Sequence, residues 1–113
     1  MSRGTLARFE LAELLARRTT SKRSYLQFLN EPTLSMGIYH LPKNGVDKQS
    51  PHEEDEVYSV ISGKAVLEVD EERTPVGPGD VCFVAAHARH RFVEIEEDLT
   101  LLVFFSKAKP ARP

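Results

Sequence analysis

The spacing of apolar positions changes period once along this chain. Between residues 6 and 18, Leu6, Phe9, Leu11, Leu14 and Leu15 recur close to helical spacing, which predicts a short amphipathic helix over 6–18. Thr5 stands where a cap belongs, and Arg17 and Arg18 lie at the C-terminal end, where the helix dipole favours cations. Beyond that point the period falls to two. Tyr25–Leu29 and Leu34–Leu41 read as strands separated by Asn30-Glu31-Pro32, and Pro42-Lys43-Asn44-Gly45 reads as a turn. Val46–Pro51 is a polar loop. Shorter strands follow: Glu56–Ser62 and Lys64–Val69 joined tightly at Gly63, then Arg73–Val76, Asp80–Val84, His90–Ile95 and Leu99–Ser106. Many short strands punctuated by glycine and proline favour an antiparallel sandwich or barrel, so the expected class is all-β, with the strands over 25–106. Leu99–Phe105 is apolar on both faces, as a central strand is, or one covered by a second subunit, or one packed under the N-terminal helix. The segment 107–113 holds two prolines and three basic residues and reads as a flexible tail.

Composition narrows the class without choosing a function. A chain of 113 residues fits one domain over 1–113, and 41% apolar with 28% charged residues is ordinary for a globular protein. The net charge of −2 gives no reason to expect nucleic acid or a membrane as partner. One cysteine, Cys82, excludes an intrachain disulfide and reads as a small buried hydrophobe. No stretch is apolar for long enough to span a bilayer, and Arg8, Glu10 and Glu13 interrupt the first sixteen residues, so a cytoplasmic protein is expected.

The candidate chemistry lies in two segments. Ser50–Gly63 sets His52 among Glu53, Glu54, Asp55 and Glu56 at the mouth of a strand, and Ala86–Phe92 brings His87 and His90. Alternate strand residues share a face, so Glu56 points with Tyr58 and Val60, and His90 with Phe92 and Glu94. A barrel that closes these strands over each other would bring Glu56 and His90 into one cavity, with His52 entering from the rim. Two imidazole nitrogens and one carboxylate oxygen suit a first-row divalent metal and leave coordination positions open. Glu53, Glu54 and Asp55 read as a solvated acidic rim that favours a cation. Tyr58, Phe92 and Phe105 read as core or cavity wall. Taken singly, His52 is equally what a solvated loop histidine looks like, and His90 a satisfied core histidine.

Together, the two segments resemble the paired motifs of the cupin superfamily. In the first, Gly45 leads the loop, three residues lie between His52 and Glu56, and six lie between Glu56 and Gly63. In the second, Gly79 is followed by His90 at the histidine place, with Ala85, His87 and Glu94 where the motif has proline, glycine and asparagine. Pro78-Gly79-Asp80 is also typical of such proteins, and the likeness runs from Leu34 to Ser106. The resemblance implies an antiparallel double-stranded β-helix (the jelly-roll barrel) behind a short helix. It also implies a divalent transition metal (iron, manganese, zinc or nickel) held by His52, Glu56 and His90, a small-molecule ligand, and a homodimer. Ser50 stands where the first motif has its other histidine, so the ligand set is incomplete, and a water, a substrate atom or Gln49 could fill it. Cupins include dioxygenases, isomerases and decarboxylases, so the resemblance selects no reaction. Glu94 and Tyr58 are the acid–base candidates. A non-catalytic binding module and a vestigial site both remain open.

Overall fold

The computed structural model of the protein describes residues 4–107. Its elements are α1 (Leu11–Ser21), β1 (Tyr25–Asn30), β2 (Leu34–Leu41), β3 (Glu56–Val69), β4 (Glu72–Val76), β5 (Val81–Val84) and β6 (His90–Ser106). The helix begins five residues later than the periodicity suggests. Glu10 is extended at the N-cap, Leu6 is 90% exposed, and Phe9 leaves the helical register to meet the edge of Phe28 at 4.9 Å between ring centroids. An aromatic contact thus replaces a first helical turn. At the other end Lys22 turns left-handed, and the Arg18 guanidinium donates to the Arg23 carbonyl at 2.9 Å. All of the expected flexible tail except Lys107 lies outside the described residues, and the Lys107 amide donates to Thr33 O at 2.9 Å.

The sheet runs in the order β1-β2-β6-β3-β4, with β5 also on β3, and every pairing is antiparallel. Four segments that the sequence suggests as separate strands are two long ones. β3 continues through Gly63, and β6 continues from His90 through Asp98, so the pair runs from Glu56↔Phe105 to Val69↔His90. Gly63 bends the ladder instead of ending it. Its φ is +98°, and a Cβ at this position would collide with the Asp98 carbonyl, so the backbones of β3 and β6 cross here at a distance only glycine allows. Register shifts on both sides, between Val60 and Val66, turn the strands from one sheet half into the other. The first half of β3 pairs β5 and the second half pairs β4; the C-terminal half of β6 pairs β2.

The core fills the space between these halves, around Tyr58, Leu67, Phe92, Ile95, Leu101 and Val103. β6 is central, flanked by β2 and β3, which explains its two apolar faces. Leu99, Leu101 and Val103 are buried in the core, while Thr100, Leu102 and Phe104 face outward and are half-buried. On that outer side α1 packs over β1 and β2 and buries Leu14 and Ile38 apart from the main core. Burying two such side chains contributes about 1.5–3 kcal/mol each, enough to dock a helix this short.

The loop between β2 and β3 has no ladder of its own. It is pinned by Asp47, which is 6% exposed. One carboxylate oxygen accepts from the Tyr39 hydroxyl at 2.7 Å. The other accepts from the Gln49 amide at 2.6 Å and from the Phe92 backbone N–H at 2.9 Å. A buried carboxylate is costly unless its lone pairs are used, and here three donors from three segments use them.

Three stability outcomes follow, each read by urea titration. Gly63→Ala is expected to lower unfolding free energy by more than about 2 kcal/mol, since strain at positive φ adds to a backbone collision. Gly77→Ala, where a new Cβ meets nothing within 4 Å, is expected to stay within about 0.5 kcal/mol in the same urea titration. Asp47→Asn, which turns an amide N–H toward a donor, is expected to cost about 1–3 kcal/mol by the same measurement.

Candidate functional site

His52, Glu56 and His90 converge. One ligand-type atom from each lies within 4.8 Å of the others. Glu56 opens β3 and points inward with Tyr58, as strand alternation requires, and is 2% exposed. His90 opens β6 at the far end of the ladder, and the bent strands bring it back against Glu56. His52 comes from the loop, with its ring 5.4 Å from that of His90 and edge-on to Phe105 at 5.1 Å. Its backbone carbonyl accepts from the His87 N–H at 2.7 Å.

Asp55 fixes the same loop. It is not a solvated rim residue: its side chain accepts from the Ala86 N–H at 2.9 Å, and its own N–H donates to the Ser106 hydroxyl at 3.0 Å. His87 itself is exposed at φ +69° and serves through its backbone. Glu94 does not face the cavity. A left-handed residue at φ +48° breaks the alternation there, so Phe92 and Ile95 are both buried while the Glu94 carboxylate pairs with Arg73 at 3.1 Å outside.

The chemistry of the His90–Glu56 contact is specific. His90 Nδ1 lies 2.9 Å from the Ala88 carbonyl, an acceptor only, so Nδ1 carries the hydrogen. Nε2 is then a lone pair, yet it sits 3.0 Å from Glu56 Oε1, another acceptor. Both atoms are buried and lack a hydrogen-bond partner. Two acceptors this close need a cation between or beside them: a proton or a metal ion. Burial alone would depress the His90 pKa, but the Glu56 carboxylate and the Ala88 carbonyl outweigh it and raise the value above the ordinary imidazole range. A donor set of two imidazoles and a carboxylate, with two lone pairs facing one point, fits a divalent transition metal.

Around this centre is a cavity of about 220 Å³ lined by Tyr25, Tyr39, Gln49, His52, Glu56, Val103 and Phe105. His90 lies behind it, on a neighbouring polar cleft shared with Gln49, Arg89 and Arg91. Gln49 frames the site with both ends of its amide engaged, donating to Asp47 and accepting from the Tyr58 hydroxyl at 2.9 Å. Ser50 is exposed and stands outside the convergent group. Burial and the Glu56 charge push the Tyr58 hydroxyl far above its usual range, and burial with the Asp47 bond does the same for Tyr39. Tyr25, Tyr39 and Asp47 escape sequence reasoning because their roles arise from the pairing of β1 with β2 and from a loop without periodicity. Cys82 borders the core half-buried instead of fully buried, and burial raises its thiol pKa, which lowers the share of reactive thiolate.

Residues 37–105 match the cupin domain family. An uncharacterized protein of Streptomyces coelicolor is 47% identical over 98 residues, covering 87% of this chain and 93% of that protein. Among solved structures, the TT1209 protein of Thermus thermophilus superposes with a TM-score of 0.74 at 27% identity, covering 89% of this chain and 97% of that one. KdgF of a Halomonas species gives a TM-score of 0.67 at 23% identity over 75% of this chain and 78% of its own, a likeness of fold. No helix among the described residues is long and apolar enough to cross a membrane. The paired motifs, the two sheet halves joined by bent strands and the inward His/Glu/His group agree with these matches: the chain belongs to the cupin domain family, and its fold is the all-β cupin barrel with a short N-terminal helix.

Proposed function

We propose that the barrel holds a divalent transition metal through His52, Glu56 and His90 and presents it to a small molecule in the adjoining cavity. The observation that carries this reading is the pair of buried atoms, Glu56 Oε1 and His90 Nε2, which face each other at 3.0 Å and need a cation between or beside them. When bound, such a metal supplies Lewis acidity toward a carbonyl or enolate oxygen, or a seat for dioxygen. The chain's own residues do the rest. The Ala88 carbonyl holds the His90 ring with Nε2 free, and the backbone bond from His87 fixes the loop that carries His52. Gln49, held by Asp47 and Tyr58, keeps the polar edge of the cavity in place. Tyr39, Val103 and Phe105 line the other side of the cavity.

An enzyme of the dioxygenase or isomerase type is the reading this arrangement favours over a passive binding module. Three protein ligands would leave coordination positions open on a bound metal, which substrate activation needs. Glu94 takes no part, since it pairs with Arg73 outside, and the Tyr58 hydroxyl is already engaged by Gln49. Neither residue is therefore assigned a proton-transfer role. A second copy of the chain is proposed to cover the outer sheet face, where Phe83 is 62% and Val81 69% exposed in register beside Val57 and Ser59.

Metal analysis tests the first claim. Wild-type protein is expected to bind about one ion per chain, and His90→Ala to bind more than about tenfold more weakly, the least that losing even an outer partner costs. Equal content in both removes the claim. The same titration run against pH has a fixed sign. Because the His90 pKa is raised in the metal-free fold, protonation there stabilises that form at acid pH, and the contribution is lost as pH rises through the raised value. Protons and metal compete for Nε2, so the rise in Tm on adding metal is expected to grow with pH across that window. With metal in place, a dioxygen-uptake and isomerisation screen separates enzyme from binder. Sedimentation at micromolar concentration is expected to give a dimer for wild type and a monomer for Phe83→Asp.

A further inference from the structure

The three tyrosines differ in what their hydroxyls do. Tyr39 donates to Asp47 and Tyr58 to Gln49, each inside the protein. The Tyr25 hydroxyl is buried and has no hydrogen-bond partner. It belongs to the wall of the cavity that also contains His52 and Glu56. Phenylalanine would fill the same space without leaving a polar atom unsatisfied, so packing does not explain the oxygen. The backbone opposite makes room for it: any side chain at Gly37 would run into the Tyr25 ring. The ring stands edge-on to Tyr39 at 6.2 Å and to Phe105 at 6.5 Å, which holds the hydroxyl in one direction. Burial and the Glu56 charge push its pKa up to about 12, so it remains protonated and acts as a donor.

The charge balance and the size of the cavity describe what such a donor would meet. A divalent ion with one carboxylate and two neutral imidazoles would carry a net single positive charge, which a monoanion neutralises beside apolar walls. Without the metal, Glu56 would repel that same anion. At roughly 30 Å³ per water-sized group, a cavity of about 220 Å³ takes about seven heavy atoms. Tyr39, Val103 and Phe105 offer the body of such a ligand an apolar wall.

We propose that Tyr25 is a ligand-recognition residue, whose hydroxyl donates to the carboxylate of a small monocarboxylate with an apolar body bound against the metal centre. The proposal rests on the metal reading above, and its test keeps the two apart. Cobalt(II) is loaded into the full chain, its visible absorption is recorded, and sodium pentanoate is titrated in, for wild type and Tyr25→Phe. Both proteins are expected to show the same cobalt band. Pentanoate is expected to shift the band in both, with an affinity about tenfold weaker in Tyr25→Phe. The metal-free variant is expected to melt no lower than wild type, because it loses an unsatisfied buried hydroxyl. Metal-free wild type is expected not to bind pentanoate. No cobalt band in wild type overturns the metal reading and this proposal with it. A cobalt band with equal pentanoate affinities, or with no response to pentanoate, overturns the proposal alone, and so does a variant that melts clearly lower, which would make the hydroxyl structural.

Discussion

The buried carboxylate of Asp47 is the constraint on which the rest of the site depends. The loop from Pro42 to Asp55 crosses the mouth of the barrel without a strand partner, so side chains must set its course. Asp47 fixes it to β2 through Tyr39 and to β6 through the Phe92 N–H, and its grip on Gln49 passes to Tyr58. Tyr58 shares a strand face with Glu56, so the same chain of bonds borders the convergent group. Networks of this kind gain from the low dielectric when every member is satisfied and lose heavily when one is not. This one is satisfied at Asp47 and Gln49, which ties the loop to β2, β3 and β6.

The contrast lies a few ångströms away. Buried side-chain atoms without a hydrogen-bond partner among the described residues are Tyr25 Oη, Glu56 Oε1 and His90 Nε2, all three in or beside one cavity. A fold that satisfies Asp47 three times over leaves these atoms unsatisfied in one place. Local departures from the rules of stable packing concentrate where a protein binds or reacts, and the stability they forgo is made up elsewhere. Here the compensation is visible in the Asp47 network and in the β3–β6 ladder.

Much of this was legible in the sequence. Alternation in Glu56–Val60 set Glu56 inward, and the turn residues marked nearly every strand end. What misled was the assumption that a glycine or an acidic run ends a strand. Gly63 and Glu96-Glu97-Asp98 lie inside continuous strands that bend, because a barrel must turn its strands from one sheet half to the other. Glu94 misled for a related reason: a single left-handed residue reversed the facing of everything after it, which no period-two reading can foresee. The helix start failed because Phe9 found Phe28, a contact made across the fold. Asp55, read as one of three rim acids, is distinguished from Glu53 and Glu54 only by where the loop carries it. Tyr25 and Asp47 carried no local signal, since one depends on Gly37 on β2, diagonal to it in the register, and the other on an amide from β6.

The placement of the tyrosines has an optical consequence. The protein contains no tryptophan and three tyrosines, so its native ultraviolet emission comes from Tyr25, Tyr39 and Tyr58 alone. Two of these line the cavity, and the third bonds to Gln49, which lines it too. One phenol is held by a carboxylate, one by an amide, and one is free, which gives the three emitters different quenching environments around a single space. The unmodified chain is thus its own fluorescent reporter of whatever enters the barrel.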